Sequence, residues 1–117
     1  MANEVEATLR DAPPLTIIDL RGDVTTFADE AINTAYQQAC ERGAENILMN
    51  FAAVDYLNSA GISIIIGILT EARKADQRLL VTGLTPHYRK IFQMMGLSQY
   101  APVFESEDAA RESIAGG

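Results

Sequence analysis

Short apolar runs alternate along the chain with longer stretches in which apolar residues recur every three or four positions. The short runs are bounded by turn residues, a pattern typical of buried strands at 15–20, 46–51, 78–84 and 101–104. A weaker alternation predicts an edge strand over 5–9, which Pro13-Pro14 separates from the next strand. The segment Arg21-Gly22-Asp23 is expected to form the turn that ends the second strand.

The first of the longer stretches predicts an amphipathic helix. Its apolar stripe consists of Ala28, Ala31, Ile32, Ala35, Tyr36 and Ala39. We expect Thr25 or Thr26 to cap this helix and Gly43 to end it. Cys40 falls on this apolar stripe and is expected to be a buried core residue rather than a reactive thiol.

Two further helices are predicted near the C-terminal end of the sequence. Thr85-Pro86 is a strong start signal, because a capping hydroxyl is followed by a proline whose missing N–H is not needed there. This helix is expected to stop at Gly96. Ser106 is expected to cap the last helix, with Ala110 and Ile114 as its packing face.

The isoleucine-rich run 62–69 has the composition of a strand but the length of a helix. It continues without a break into Thr70-Glu71-Ala72-Arg73-Lys74-Ala75, which is good helix sequence. We therefore predict one largely buried helix over 60–75. Gly67 is expected to permit close packing of this helix against a neighbour.

The order of elements predicts the α/β class. Strands that alternate with helices indicate a mixed, mostly parallel sheet, here of four to five strands with about four α-helices. With 117 residues, 48% of them hydrophobic, the chain is expected to be a single domain over 1–117. Frayed ends are expected at 1–4 and 115–117.

Charge and targeting signals limit the classes of partner. The net charge of −7 disfavours direct contact with nucleic acid or an anionic membrane surface and favours a basic protein surface. The longest apolar run is far shorter than the roughly 20 residues that span a bilayer, so no membrane insertion is expected. The acidic start lacks the layout of a signal peptide, and the single cysteine allows no internal disulfide. A cytoplasmic location is therefore expected.

Catalytic motifs are sparse, so we do not expect an enzyme and predict no cofactor. His87 is the only histidine, and with Cys40 it does not make a metal site. The sequence around Ser59 lacks the Gly-x-Ser-x-Gly elbow of serine hydrolases, and no phosphate-binding glycine motif occurs. Arg21-Gly22-Asp23 also matches a cell-adhesion motif, but a turn is the better interpretation in a chain without a secretion signal.

Ser59 stands at the predicted start of the isoleucine-rich helix. Its hydroxyl would lie among unpaired backbone N–H groups, and this has two interpretations. Ser59 could simply cap the helix, with Asn58 helping the turn. Alternatively it could be phosphorylated, because the free N–H groups and dipole of a helix N-terminus favour negative charge.

Three segments of the chain resemble the STAS domain, and specifically the bacterial anti-sigma factor antagonists. Leu20-Arg21-Gly22-Asp23-Val24 resembles the strand-to-helix segment of that family. Val54-Asp55-Tyr56-Leu57-Asn58-Ser59-Ala60-Gly61-Ile62 resembles its signature, in which apolar residues precede Asp-Ser-Ser/Ala-Gly-Leu. Leu79-Leu80-Val81-Thr82-Gly83-Leu84 and the helix over 89–97 resemble its later part, so that the similarity covers nearly the whole chain.

The resemblance implies a small α/β domain without catalytic activity that takes part in partner switching. An anti-sigma factor that is itself a serine kinase would phosphorylate the signature serine, Ser59, using ATP and magnesium that the kinase holds. The unmodified protein would bind this kinase and free a sigma factor, and a serine phosphatase would reset the phosphorylated form. The partner-binding residues implied are Asp23, Asp55, Asn58, Ser59, Ala60 and Gly61. Asp23 is expected near Ser59, because both follow strands at one end of the sheet.

The chain departs from the family signature next to the serine. Asn58 stands where the family often has aspartate, which removes a charge beside the phosphorylation site. Ala60 replaces a possible second hydroxyl and leaves Ser63, one turn further and expected to be more buried, as the other candidate. Two rival functions remain open: an unswitched STAS adaptor, such as a scaffold or a lipid-transport accessory subunit, and a small hydrolase that uses Ser59.

Overall fold

A five-stranded sheet forms the centre of the computed structural model, which describes residues 5–115. The strands are β1 (Glu6–Ala12), β2 (Leu15–Val24), β3 (Asn46–Leu57), β4 (Arg78–Thr82) and β5 (Val103–Phe104). The helices are α1 (Asp29–Glu41), α2 (Ser59–Lys74), α3 (Pro86–Met94) and α4 (Glu107–Ala115), with short 3-10 helices at Thr26–Ala28 and Leu97–Gln99.

The strand order follows the sequence from β1 to β5. β1 pairs with β2 in antiparallel orientation, and every later pair is parallel. The predicted α/β class with a mixed, mostly parallel sheet is confirmed. Of the predicted frayed ends, residues 1–4, 116 and 117 lie outside the described residues, and Ala115 is the last residue of α4.

The two faces of the sheet are covered unequally. Neighbouring residues of a strand point to opposite faces, and Ile18 packs with α1, α2 and α3 whereas Ile17 packs with α4. The larger cluster includes Ile18, Leu20, Val24, Ile32, Ile65 and Phe92. The smaller consists of Leu15, Ile17, Leu48, Leu80 and Ala110. The three helices on the first face therefore supply most of the core.

Two strands extend beyond their predicted ends. β2 continues to Val24, so the turn predicted at Arg21-Gly22-Asp23 is wrong. β3 continues to Leu57 rather than ending at Phe51. The reason is mutual pairing, since 21–24 of β2 runs beside 53–57 of β3, and a ladder of this kind overrides local turn propensity.

The later strands are shorter than predicted. β4 ends at Thr82 instead of Leu84, and β5 begins at Val103 instead of Ala101. Leu84 and Ala101 are nonetheless buried. An apolar run indicates that residues are buried, and it therefore predicts a strand as far as Leu84 and from Ala101. The strands themselves end where hydrogen-bonded pairing with the neighbouring strand ends.

The isoleucine-rich run forms α2, as predicted. Its core face carries Gly61, Ile62, Ile65, Ile68, Leu69 and Ala72. Gly67 lies on the exposed side with open space around its Cα, so the close packing predicted for it is wrong. Gly61 makes the close contact instead, because a Cβ there would collide with the carbonyl oxygen of Val24 and lie 2.8 Å from its carbonyl carbon.

Helix boundaries follow their local signals in most cases. The left-handed residues Gly43 and Gly96 lie just beyond α1 and α3, as predicted. The Thr85 hydroxyl accepts a hydrogen bond from the Tyr88 amide (3.3 Å), and the Ser106 hydroxyl accepts one from the Ala109 amide (3.0 Å). These observations confirm both predicted caps.

Two predictions for α1 are wrong. Thr25 makes no capping hydrogen bond, and Ala28 occupies the N-cap position of α1 because the 3-10 helix leads directly into it. Cys40 is half-buried rather than fully buried: it packs against the core, and its Sγ accepts a hydrogen bond from Gln77 Nε2 (3.4 Å).

Across residues 5–115, none of the helices combines the length and apolar character needed to cross a membrane.

A polar network crosses the sheet on the α4 side. Arg10 of β1 donates two hydrogen bonds to Asp19 of β2, Nε to Oδ2 (2.7 Å) and Nη2 to Oδ1 (2.9 Å), and Nη2 also contacts Glu107 of α4 (2.8 Å). Asn50 of β3 donates from Nδ2 to Asp19 Oδ1 (2.9 Å). The hydrogen bonds from Arg10 hold the pKa of the Asp19 carboxyl below its usual range, although partial burial opposes this.

Gly61→Ala is expected to lower the free energy of unfolding by about 1–3 kcal/mol, because the added Cβ overlaps the backbone of Val24. Gly67→Ala, the matched control in the same helix, is expected to raise it by about 0.5–1 kcal/mol, since nothing lies near its Cα. Urea unfolding monitored by circular dichroism measures both. Equal effects of the two substitutions would contradict the assigned packing.

Asp19→Asn is expected to lower stability at neutral pH by an amount that shrinks on acidification. A carboxylate with a lowered folded-state pKa stabilises the fold above its unfolded pKa, near 4, and this contribution disappears as the pH falls through the folded-state pKa. Urea unfolding of wild type and variant from about pH 7 to about pH 3 tests this. Glu112→Gln, on the exposed side of α4, is the control, and a wild-type-to-Asp19→Asn difference that is independent of pH would contradict the prediction.

Candidate functional site

The candidate site lies where β2 and β3 end together. Val24 is the last residue of β2 and pairs with Leu57, the last residue of β3. The Asn58 amide then donates a hydrogen bond to the Val24 carbonyl (3.3 Å). The first residues of α2 therefore begin directly beside the end of β2.

Asn58, not Ser59, caps α2. Its backbone is extended, and its Oδ1 accepts a hydrogen bond from the Gly61 amide (2.9 Å). Ser59 is the first residue of the helix, so, of the two interpretations of its hydroxyl, the one as a helix cap is wrong. The side-chain oxygen of Asn58 already accepts the hydrogen bond from the Gly61 amide, so the helix does not need the Ser59 hydroxyl as a cap. The Ser59 side chain is exposed to solvent.

Ser63 is the other hydroxyl on this part of α2. The expectation that it is more buried is wrong, since its side chain is exposed. Its Oγ donates a hydrogen bond to the carbonyl of Ser59 (3.1 Å), one turn earlier. Both serines are therefore accessible, but Ser63 is engaged in the helix backbone and Ser59 lies at the helix start.

Helix α3 holds the last residue of β3 in place. The amide of Leu57 donates a hydrogen bond to the Tyr88 hydroxyl (3.1 Å), and Leu57 itself is buried. The Tyr88 hydroxyl reaches β3 because β4 leads into α3 at the same end of the parallel sheet.

The other predicted partner-binding residues lie around Ser59 at different depths. Asp23 is half-buried and pairs with Tyr56, which places it at the same sheet edge as Ser59. Asp55 is exposed, and Ala60 is half-buried. Gly61 is buried against Val24, and its lack of a side chain allows the start of α2 to lie close to the end of β2. The carboxylates and the serine are therefore carried by one edge of the sheet.

Two exposed aromatic residues near this edge were not singled out from the sequence. Phe27, in the 3-10 helix after β2, is 87% exposed, and Tyr56 near the end of β3 is 50% exposed. Each side chain can add apolar area to a contact surface, although a single exposed aromatic residue does not define one. Phe27 lies directly before Ala28, the first residue of the apolar stripe. The spacing of the stripe therefore leaves Phe27 outside the face that packs on the core.

A shallow groove lies between the start of α1 and α2, and Ser59 is not among the residues that line it. The lining residues are Thr26, Asp29, Asn33, Ala60, Ser63, Ile64, Gly67 and Glu71. They include two carboxylates as well as small and apolar side chains. Within residues 5–115, no group of three or more His, Cys, Asp or Glu side chains is arranged to hold a metal ion.

Asn58→Ala is expected to lower the free energy of unfolding by about 1 kcal/mol, because the Gly61 amide loses its capping partner. Ser59→Ala is the matched control and is expected to change it by less than about 0.5 kcal/mol, since the Ser59 side chain is exposed and does not cap. Urea unfolding measures both. A larger loss for Ser59→Ala than for Asn58→Ala would contradict the assigned cap.

The sequence of the chain is similar to a known family of domains. Residues 6–110 match the sequence model of the STAS domain. The chain is similar to BtrV of Bordetella bronchiseptica, which is named as a candidate anti-sigma factor antagonist. The two are 24% identical over 106 residues, which cover 91% of each chain.

Solved structures share the fold. An anti-sigma factor antagonist from Mycobacterium paratuberculosis has a TM-score of 0.82 at 17% identity, over 96% of this chain and 95% of that one. The phosphorylated form of SpoIIAA, a Bacillus cell fate determinant, has a TM-score of 0.71 at 24% identity, over 92% and 98% of the two chains. The family match spans all five strands and the start of α4, and the protein therefore belongs to the STAS domain family.

Proposed function

We propose that the protein is an anti-sigma factor antagonist whose binding to its anti-sigma factor is switched by phosphorylation of Ser59. The observation that carries this proposal is the exposed Ser59 at the first position of α2, beside a helix start that Asn58 already caps. Two relatives support the antagonist role, because BtrV is named as a candidate anti-sigma factor antagonist and the Mycobacterium protein as an anti-sigma factor antagonist. SpoIIAA has been solved in an unphosphorylated and a phosphorylated form.

The helix start can accept a phosphate without unfolding. Its remaining free N–H groups and the positive end of the dipole favour an anion at this position. The Ser59 side chain points to solvent, so a phosphate adds about −1.5 to −2 charges at the surface without displacing a packed group. The modification therefore acts on docking and leaves the fold intact.

The unmodified surface is suited to a basic protein partner. Exposed Phe27 and Tyr56 offer apolar contact, and Asp23 and Asp55 supply negative charge at the same sheet edge. The partner is an anti-sigma factor that is also a serine kinase and holds ATP and magnesium itself. For phosphoryl transfer the Ser59 hydroxyl must approach the terminal phosphate of that ATP. Once Ser59 carries a phosphate, it is repelled by the phosphates of the nucleotide that the kinase holds and it costs desolvation at the contact surface, so the complex dissociates.

The rest of the cycle requires other proteins. Release of the anti-sigma factor from its sigma factor regulates transcription without contact between this chain and DNA. A serine phosphatase restores the hydroxyl of Ser59. The protein itself is not an enzyme in this scheme, and Asn58 keeps the helix cap while placing no negative charge directly before the phosphorylated residue.

Ser59→Ala is expected to retain the anti-sigma factor in pull-downs from cells, whereas Ser59→Asp is expected to bind it at least about tenfold more weakly, because the fixed charge imitates the phosphate. Ser63→Ala is the control for the neighbouring hydroxyl and is expected to behave like wild type. Mass spectrometry of the same material is expected to find phosphate on Ser59 in wild type and in Ser63→Ala. Equal binding by the Ala and Asp variants at Ser59 would exclude the switch and favour an unswitched adaptor.

A further inference from the structure

The pairing of β3 with its neighbours changes after Asn50, before the part of the strand that leads to Ser59. β3 pairs with β4 only as far as Asn50, which lies opposite Thr82. On its other side, Asp19 of β2 pairs with Asn50 and Arg21 pairs with Ala53, so β3 has one residue more than β2 over this step. This is a β-bulge, and it lies where β3 loses one of its two neighbours.

The Asn50 side chain bonds to the backbone inside this bulge. Its Oδ1 accepts a hydrogen bond from the amide of Ala52 (3.0 Å), and its Nδ2 donates one to Asp19 Oδ1 (2.9 Å). A carboxylate can only accept hydrogen bonds, so Asp19 orients the amide of Asn50 with its NH₂ group toward β2. The carbonyl oxygen is thereby left facing Ala52.

Arg10 and Gly83 fix this arrangement from two sides. Arg10 holds both carboxylate oxygens of Asp19, at 2.7 and 2.9 Å, in the bidentate geometry that best defines the position of a carboxylate. Gly83, which has a φ of +83°, lies so close that a Cβ would be 2.9 Å from Asn50 Oδ1 and 2.8 Å from Ala52 Cα. The Asn50 amide therefore has little freedom to turn.

This bulge and a second register shift together determine which residues of β3 face which residues of β2 at the candidate site. Beyond the bulge Gly22 pairs with Val54. The second shift follows Gly22, so that Asp23 pairs with Tyr56 and Val24 with Leu57, and α2 starts two residues after Leu57. A shift of one residue in a strand moves its side chains to the opposite face. Loss of the bulge would therefore displace the buried Leu57 and, with it, the start of α2.

We infer that Asn50 is a positioning residue for Ser59: oriented by Asp19 and Arg10, it holds the first of the two register shifts in the strand that leads to α2. Asn50 lies on β3, on the α4 side of the sheet, and acts through the backbone. The inference rests on the proposed function only in taking Ser59 as the residue that is phosphorylated. The positioning itself is measured on the isolated protein without a partner.

Asn50→Asp is the decisive substitution, because it preserves size but places two carboxylates where an amide faced Asp19. In hydrogen exchange followed by NMR, the amides of Ala52 and of 54–57 are expected to exchange at least about fivefold faster than in wild type, relative to the core amides of Leu48 and Ile65. The amide resonances of Ser59 and Gly61 are expected to shift. Wild-type exchange in this variant would overturn the inference, because a residue that only fills space tolerates an isosteric change.

The exchanged pair Asp19→Asn with Asn50→Asp supplies the rescue. It removes the facing pair of carboxylates and leaves an oxygen for the Ala52 amide. An NH₂ group at position 19 that faces position 50 would however lie where Arg10 Nη2 contacts Asp19 Oδ1 (2.9 Å), so exchange is expected to return only part of the way to wild type. A double variant no better than Asn50→Asp would overturn the orienting role of Asp19. Unshifted Ser59 and Gly61 resonances in Asn50→Asp would overturn the positioning of Ser59.

Asn46→Ala is the matched control on the same strand. Asn46 lies at the other end of β3 and donates only to the Pro14 carbonyl (3.3 Å), so its loss is expected to leave exchange over 54–57 unchanged. An equal effect at 54–57 would overturn the inference, since any loss of an asparagine in β3 would then suffice. If Ser59 proved never to be phosphorylated, the proposed switch would fail while these exchange results would stand.

Discussion

The parallel pairing of β2 with β3 as far as Val24 and Leu57 is the constraint on which the candidate site depends. Both strands end at one sheet edge, and the Asn58 amide bonds back to Val24 at the point where the chain turns into α2. The approach of the helix is so close that only glycine fits at position 61. The position of Ser59 is therefore determined by backbone contacts between β2, β3 and α2, and hardly by its own side chain.

At the start of α2, two different residues provide the helix cap and the exposed hydroxyl. Asn58 satisfies the Gly61 amide, and the Ser59 hydroxyl is consequently not needed for the stability of the helix. A residue that is dispensable for folding and lies at the positive end of a helix dipole can gain or lose a phosphate while the domain stays folded. This separation makes the geometry suitable for a reversible signal between protein partners.

The two faces of the sheet serve different physical purposes. The face under α1, α2 and α3 buries most of the apolar residues and supplies the stability of the domain. The face toward α4 carries the hydrogen-bonded line from Arg10 through Asp19 to Asn50. Polar groups of this kind contribute little net stability, but they define one register among several that an apolar surface would accept.

The sequence by itself determined the features that depend on neighbouring residues. The α/β order, the helical form of the isoleucine-rich run, the start at Thr85-Pro86 and the ends at Gly43 and Gly96 all follow from propensity, length and capping within one or two turns. The resemblance to the STAS domain also identified Ser59. Each of these signals is local and is therefore readable from the order of residues.

Only the tertiary structure decided how the edge around Ser59 is built. Arg21-Gly22-Asp23 has turn composition, yet it continues β2 because a strand some thirty residues later supplies its hydrogen-bond partners. The choice of Asn58 over Ser59 as the cap, and of Gly61 over Gly67 as the contact glycine, depends on how close α2 lies to Val24. Such distances between segments far apart in the chain have no local sequence signal, because many pairings are compatible with the same apolar pattern.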